Sequence, residues 1–159
     1  MSKLIAVEID DSNLPAPTPE SAQERRVAIF DLLEDNHFVL VARDERVPPA
    51  GPYRLALSIR ERRLCFAIAS EPGTALGEVH LSLGPFRQVV KDYFQICRSY
   101  AEALKTLPPG QIEAIDMARR GIHNEGARLL VERLDGKVEI DKPTSRRLFT
   151  LICVLLTGE

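Results

Sequence analysis

The sequence is short of the residues that most often announce a chemistry. It holds three histidines and three cysteines in 159 residues. His37, His80 and His123 lie far apart, none has a second ligand at metal-site spacing, and no CxxC pair occurs, so no metal is expected. Neither a P-loop nor a GxGxxG stretch is present, and no cofactor is expected. Long apolar runs are missing too. The longest, LFTLICVLL from Leu148 to Leu156, falls far short of the roughly 20 residues that cross a bilayer, which argues against a membrane partner. The opening MSKLIAVEIDD is interrupted by Glu8, Asp10 and Asp11, so no signal peptide and no export are expected. The formal net charge is only -2, so any binding to nucleic acid must come from a local patch.

What is there describes a globular chain. With 45% hydrophobic and 28% charged residues, one soluble domain spanning residues 1–159 is expected. Cys65, Cys97 and Cys153 are odd in number and each sits inside an apolar run, so they read as buried free thiols in a reducing cytoplasm. Most of the 21 basic residues are arginine, the better side chain for gripping carboxylate or phosphate, although a G- and C-rich genome gives the same bias.

The pattern predicts an α+β fold: an antiparallel sheet with about four helices, mostly packed on one of its faces. Leu4 to Asp10 alternates, with Ile5, Val7 and Ile9 on one side, and predicts a first strand. Thr18 as N-cap and Pro19 as first helical residue open a helix running to about Glu34, stopped by Asn36, that buries Ala22, Ile29, Phe30 and Leu33. HFVLVA is a short strand, and RDERVPPAGP a loop. Tyr53, Leu55, Leu57 and Ile59 alternate, RERR turns, and Leu64, Phe66 and Ile68 repeat the alternation. A further strand over Gly77 to Leu83 completes a three-stranded meander. The remainder is expected to be helical. A second helix begins at GPF and runs to about Leu107, with a broad apolar face from Phe86 to Leu104. A last helix starts near Thr144 and is apolar all round from Leu148, so it is buried centrally or in a homodimer interface.

The third helical stretch is the odd one. DMARRGIHNEGARLL has an apolar stripe of Ile112, Ile115, Ala118, Ile122, Leu129 and Leu130, yet Arg119 and Gly126 fall inside that stripe. A buried arginine must find an anion: a carboxylate of the chain, a cluster of carbonyls, or a ligand. Gly126 reads as space left beside Arg119. Alternatively HNEG breaks the helix, with Asn124 capping a new one. Arg119, Arg120, His123 and Gly126 form the first candidate ligand site. Asp116, His123 and Glu125 are weaker catalytic candidates, as acid or base, with Arg119 or Arg120 able to steady an oxyanion.

A second basic feature lies on the polar side of the second helix, where Arg87, Lys91, Arg98 and Lys105 fall in a narrow arc. The helix opens at Gly84 and Pro85, so free amides at its positive end sit near Arg87. Gly84, Arg87 and Lys91 are therefore a second candidate anion site, and a solvated helix face is the plainer explanation. Stacking aromatics are poor there, because Phe86, Tyr93 and Tyr100 point inward.

The segments TPESAQERRVAIFDLLED, LSLGPFRQVVKDYFQICRSY, IDMARRGIHNEGARLL and RRLFTLICVL resemble the bacterial uncharacterised-protein family numbered 0262, over essentially the whole chain. The resemblance implies a bacterial cytosolic domain, and it supplies no activity or site residues to carry across. Function is therefore read from the residues. The preferred expectation is a binding or regulatory module for an anionic group, on a phosphorylated or carboxylated small ligand or a nucleic-acid backbone. The alternatives are an enzyme using the Asp/His/Glu cluster and a homo-oligomeric assembly protein closed by its last helix.

Overall fold

A computed structural model describes residues 3–12, 14, 16–41 and 48–157. Strand β1 (Leu4–Ile9) leads into helix α1 (Pro19–Glu34), a short strand β2 (Phe38–Leu40), and the strands β3 (Tyr53–Arg60), β4 (Arg63–Ser70) and β5 (Ala75–Ser82). Helices α2 (Gly84–Thr106) and α3 (Pro109–Leu134), strand β6 (Val138–Ile140) and helix α4 (Lys142–Leu155) complete the chain. The fold is α+β, with four helices as expected.

The sheet is mixed rather than antiparallel. Its order is β1-β3-β4-β5, with β3, β4 and β5 forming the expected meander and β1 lying parallel to β3. Between β1 and β3 the chain crosses over through α1, and a helical crossover returns the next strand in the same direction. A register shift between Leu4 and Ala6 also changes which residues of β1 face inward. Leu4, Val7 and Ile9 are buried, and Ile5 is only half-buried. The turn of the β3–β4 hairpin uses Glu61 and Arg62, both at positive φ, the geometry a two-residue hairpin turn demands.

Strand β6 was not expected. It pairs antiparallel with β2 as a separate two-stranded sheet, Phe38 opposite Ile140 and Leu40 opposite Val138. The loop RDERVPPAGP lies partly outside the described residues.

Thr18 caps α1, its Oγ1 accepting from Ser21 N at 3.1 Å. The inward face of α1 is Ala28 and Leu32, not the face containing Phe30, which is 64% exposed. Two residues along a helix is a rotation of about 200°, so Phe30 stands opposite both buried residues. Asn36 fastens the end of α1 to β1: its Nδ2 donates to Leu4 O and Leu32 O, and its Oδ1 accepts from Leu4 N at 2.7 Å.

Inward residues of the sheet, including Leu55, Leu57, Leu64, Phe66 and Ile68, join one core with α4. Leu148, Phe149, Leu151 and Ile152 of α4 are fully buried within the single chain. Asp141, not Thr144, is the N-cap of α4; Thr144 is buried inside the first turn, and its Oγ1 accepts from His37 N. In α2 the core face ends early. Phe86, Val89, Val90 and Tyr93 are buried, but Tyr100 is only half-buried and Leu104 is exposed. Beyond Cys97 the helix leaves the main core, although Ala103 is still buried.

Candidate functional site

Helix α3 is continuous from Pro109 to Leu134, so no break occurs at Asn124 and the helical wheel holds through the whole stretch. Arg119 lies on the inward side, as expected, but its side chain is 31% exposed rather than enclosed. Its anion is a carboxylate of the chain. Nε and Nη2 of Arg119 both donate to Asp116 Oδ1, at 3.0 and 2.6 Å, and Arg120 Nε lies 3.2 Å from Asp116 Oδ2. The Arg119 hydrogen bonds, reinforced by the charges of both arginines, hold the Asp116 carboxyl below the usual carboxylate range. The Arg119 guanidinium also stands 5.1 Å from the centre of the Tyr100 ring.

Gly126 does not open space beside Arg119. The Phe149 ring of α4 fills that position, and a Cβ built on Gly126 would fall on the edge of that ring. Glycine is required there because two helices touch, not because a ligand approaches. Ala118, placed in the stripe by the sequence, is exposed because α3 has no neighbour on that side at that point.

His123 sits one turn beyond Arg119, with its ring edge-on to Tyr93 at 5.2 Å and Phe149 at 5.1 Å between centres. Its Nε2 lies 2.9 Å from Thr150 Oγ1, and that hydroxyl donates its own hydrogen to Arg146 O. The hydroxyl must therefore accept, which assigns the hydrogen of the neutral imidazole to Nε2. Nδ1 is left buried with no hydrogen-bond partner among the described residues. Burial, followed by the charges of Arg146 and Arg119, pushes the imidazole down to about 4. His123 is thus neutral at neutral pH.

These residues line a cleft of about 740 Å³ between α3 and α4. Helix α3 supplies Arg119, Arg120 and His123, α4 supplies Lys142, Arg146, Arg147 and Thr150, and Tyr93 of α2 forms part of the wall. The first candidate site is therefore brought together except for Gly126. Three of its cations were missed, although Lys142, Arg146 and Thr150 recur every fourth residue and mark the one polar strip of α4. Among the described residues, no carboxylate lies within ion-pair distance of Lys142, Arg146 or Arg147.

The catalytic candidates do not assemble. Glu125 is exposed on the other side of α3, in a groove against Pro85, Gln88 and Asp92 of α2, while Asp116 is held by two arginines. The second candidate site is only partly brought together. Arg87 and Lys91 line a groove with Arg98, Phe94 and Leu156, and Gly84 does not. Cys65, Cys97 and Cys153 are free thiols, with Cys97 half-buried and the others buried. No helix among the described residues is long and apolar enough to cross a membrane.

Comparison with known sequences gives a family and no activity. The chain is 70% identical over 158 residues to a UPF0262 protein of Dinoroseobacter shibae, covering 99% of both chains. It is 69% identical to one of Ruegeria pomeroyi over 99% of this chain and 98% of that one. A UPF0262 protein of Paracoccus denitrificans is 66% identical over 157 residues, covering 99% of this chain and 97% of its own. No solved structure matches the chain. The model of an uncharacterised protein family, UPF0262, matches residues 1–157, and with bacterial relatives of this closeness the chain belongs to that family.

Proposed function

We propose that the chain is a binding module whose α3–α4 cleft takes a small phosphorylated ligand. The observation that supports this is the charge balance of the cleft: five cationic side chains line it, and among the described residues Asp116 engages only Arg119 and Arg120 of them. Like charges gathered in one concavity repel, and a bound anion relieves that repulsion. Arginine suits phosphate because its planar fork donates two parallel hydrogen bonds, and four of the five cations are arginine. His123, neutral, is a donor to Thr150 and not a competing charge.

A small ligand fits better than a nucleic acid. Base stacking needs free aromatic faces, whereas Tyr93 is buried against His123 and Phe149, and Tyr100 lies under the Arg119 guanidinium. An enzyme fits less well, since Asp116, His123 and Glu125 do not converge. On this reading the protein works in the cytoplasm, where its three cysteines stay reduced.

The test is thermal unfolding with inorganic phosphate, sugar phosphates, nucleotides and dicarboxylates at constant ionic strength. Ligand at about 100 times its Kd adds ~2.7 kcal/mol of stability. The midpoint should rise with phosphate compounds in the parent and in Lys91→Ala, and hardly at all in Arg146→Ala or Arg119→Ala. Millimolar phosphate compounds that leave the midpoint unmoved, or a rise that survives in both arginine variants, would remove the proposal. A rise with dicarboxylates alone would reassign the ligand class.

A further inference from the structure

The outward face of the sheet holds a second cluster, independent of the cleft. Cys65 lies in the middle of β4, and the antiparallel register sets it directly opposite His80 of β5. Glu78 is two residues from His80 on the same strand and so projects from the same face. This is the face away from the core, where His80 and Glu78 are exposed and Cys65 lies beneath them. The thiol sulfur is 3.9 Å from His80 Nε2, and that nitrogen is 3.0 Å from Glu78 Oε2. All three donor atoms lie within 4.8 Å of one another.

The way they meet separates two kinds of chemistry. A thiol–imidazole–carboxylate relay places the acid on one ring nitrogen and the thiol on the other, so that a proton moves along the line. Here Cys65 and Glu78 both meet the same atom, Nε2. That nitrogen either gives its one hydrogen to Glu78 or receives one from Cys65, and it cannot do both. Three donors aimed at one point are what a shared cation uses.

We propose that Cys65, Glu78 and His80 form a metal site that takes Zn²⁺ through a thiolate, an imidazole nitrogen and a carboxylate oxygen, with the fourth position open to solvent. Zinc bonds of about 2.3 Å to sulfur and about 2.0–2.2 Å to nitrogen and oxygen place tetrahedral donors roughly 3.3–3.6 Å apart. The sulfur–nitrogen and nitrogen–oxygen separations, 3.9 and 3.0 Å, stand within a few tenths of an ångström of that range, and the sulfur–oxygen separation, at most 4.8 Å, closes by movement of the exposed Glu78 side chain. A sulfur and an imidazole in the set favour zinc over calcium or magnesium, which take oxygen ligands. Burial, and then the Glu78 charge, push the Cys65 thiol up, so the incoming ion must displace the thiol proton as it binds. Ser58 is buried and directly opposite Cys65 on β3, where its hydroxyl is placed to act as the outer contact that steadies a ligating thiolate. Arg60 reaches Glu78 through the other carboxylate oxygen, Oε1, at 4.0 Å.

Cobalt titration of the metal-free full-length protein tests this, because only sulfur ligation gives a thiolate-to-cobalt charge-transfer band in the near ultraviolet. The parent should develop that band, saturate at one ion per chain, and lose it when Zn²⁺ is added. Cys65→Ser should abolish the band, and His80→Ala and Glu78→Gln should each weaken cobalt binding at least tenfold. The last two alter exposed side chains, so they report on ligation even if Cys65→Ser disturbs the fold. Cys97→Ser should keep the band. A folded parent without the band, a band that survives in Cys65→Ser, or unchanged affinity in His80→Ala would overturn the site.

Discussion

The two halves of α3 contain the same anomaly and answer it in opposite ways. Each half has a glycine inside a helix, which costs about 1 kcal/mol relative to alanine unless something requires it. In the second half the requirement is visible: Gly126, Ala127, Leu130 and Leu134 are buried, and Gly126 lies against the Phe149 ring. In the first half Gly121 has nothing within 4 Å of where a side chain would begin, and Met117 is 61% exposed. The backbone is one helix throughout, so the difference lies in the neighbour. Helix α4 packs on the second half through Phe149 and Ser145, and the cleft lies between α4 and the stretch from Arg119 to His123. Arg119 stands at that boundary. A polar residue in an apolar stripe marks the place where packing ends and a polar cleft begins.

The largest effect expected from this contrast is at Gly126. Gly126→Ala forces a methyl group into the Phe149 ring, and overpacking of this severity costs ~3 kcal/mol or more. For a chain of this size that is a fall of ~10 °C in Tm by circular dichroism. Phe149→Leu in the same chain should restore part of the loss. An unchanged midpoint for Gly126→Ala would show that the helices have room to separate, and the contrast between the halves would fail.

His123 gives the next effect. Its folded-state pKa of about 4 lies below the ordinary 6.5, so between those values the unfolded chain binds the extra proton and the folded chain does not. The stability it contributes is complete above about pH 6.5 and is lost as pH falls toward about 4. His123→Gln should flatten this part of the stability profile. Phosphate in the cleft should raise the His123 pKa, since an anion beside Arg146 and Arg119 offsets the charges that hold it down. Proton NMR of the imidazole follows both, and a pKa indifferent to phosphate would place the anion elsewhere.

Legibility followed the range of the interactions. The Thr18 cap, the β3–β4–β5 meander and the apolar run of α4 from Leu148 rest on neighbours within a few residues and could be read directly. Strand β6 could not, because three residues do not establish a period and its partner β2 lies about a hundred residues away. The parallel pairing of β1 depends on a crossover that alternation does not encode. In the cleft, Arg119, Arg120 and His123 were legible as an anomaly within one helix. Arg146 and Arg147 belong to another helix, and only packing joins the two. Phe30 and Gly126 were misread for a common reason: a wheel shows which residues share a face but not what the face meets. Cys65 and His80 lie fifteen residues apart in sequence, yet strand register makes them neighbours, so spacing along the chain gave no metal signal.

The smaller expected effects test the first half of α3. Arg119→Ala removes a half-exposed ion pair and a cation–aromatic contact, together worth ~1 kcal/mol. It should therefore lower Tm by only ~2–4 °C while weakening phosphate binding strongly. A fall as large as that of Gly126→Ala would make the arginine a core element. Gly121→Ala is the smallest change and has the opposite sign. Its backbone is already helical and the space beside it is open, so a methyl group meets no atom and reduces the freedom of the unfolded chain. Tm should rise by an amount equivalent to ~0.5–1 kcal/mol, with phosphate binding unchanged. A loss of binding with the fold intact would mean that the helix must flex at Gly121 to close Arg120 and Arg119 around the anion, and the first half of α3 would then owe its glycine to the ligand.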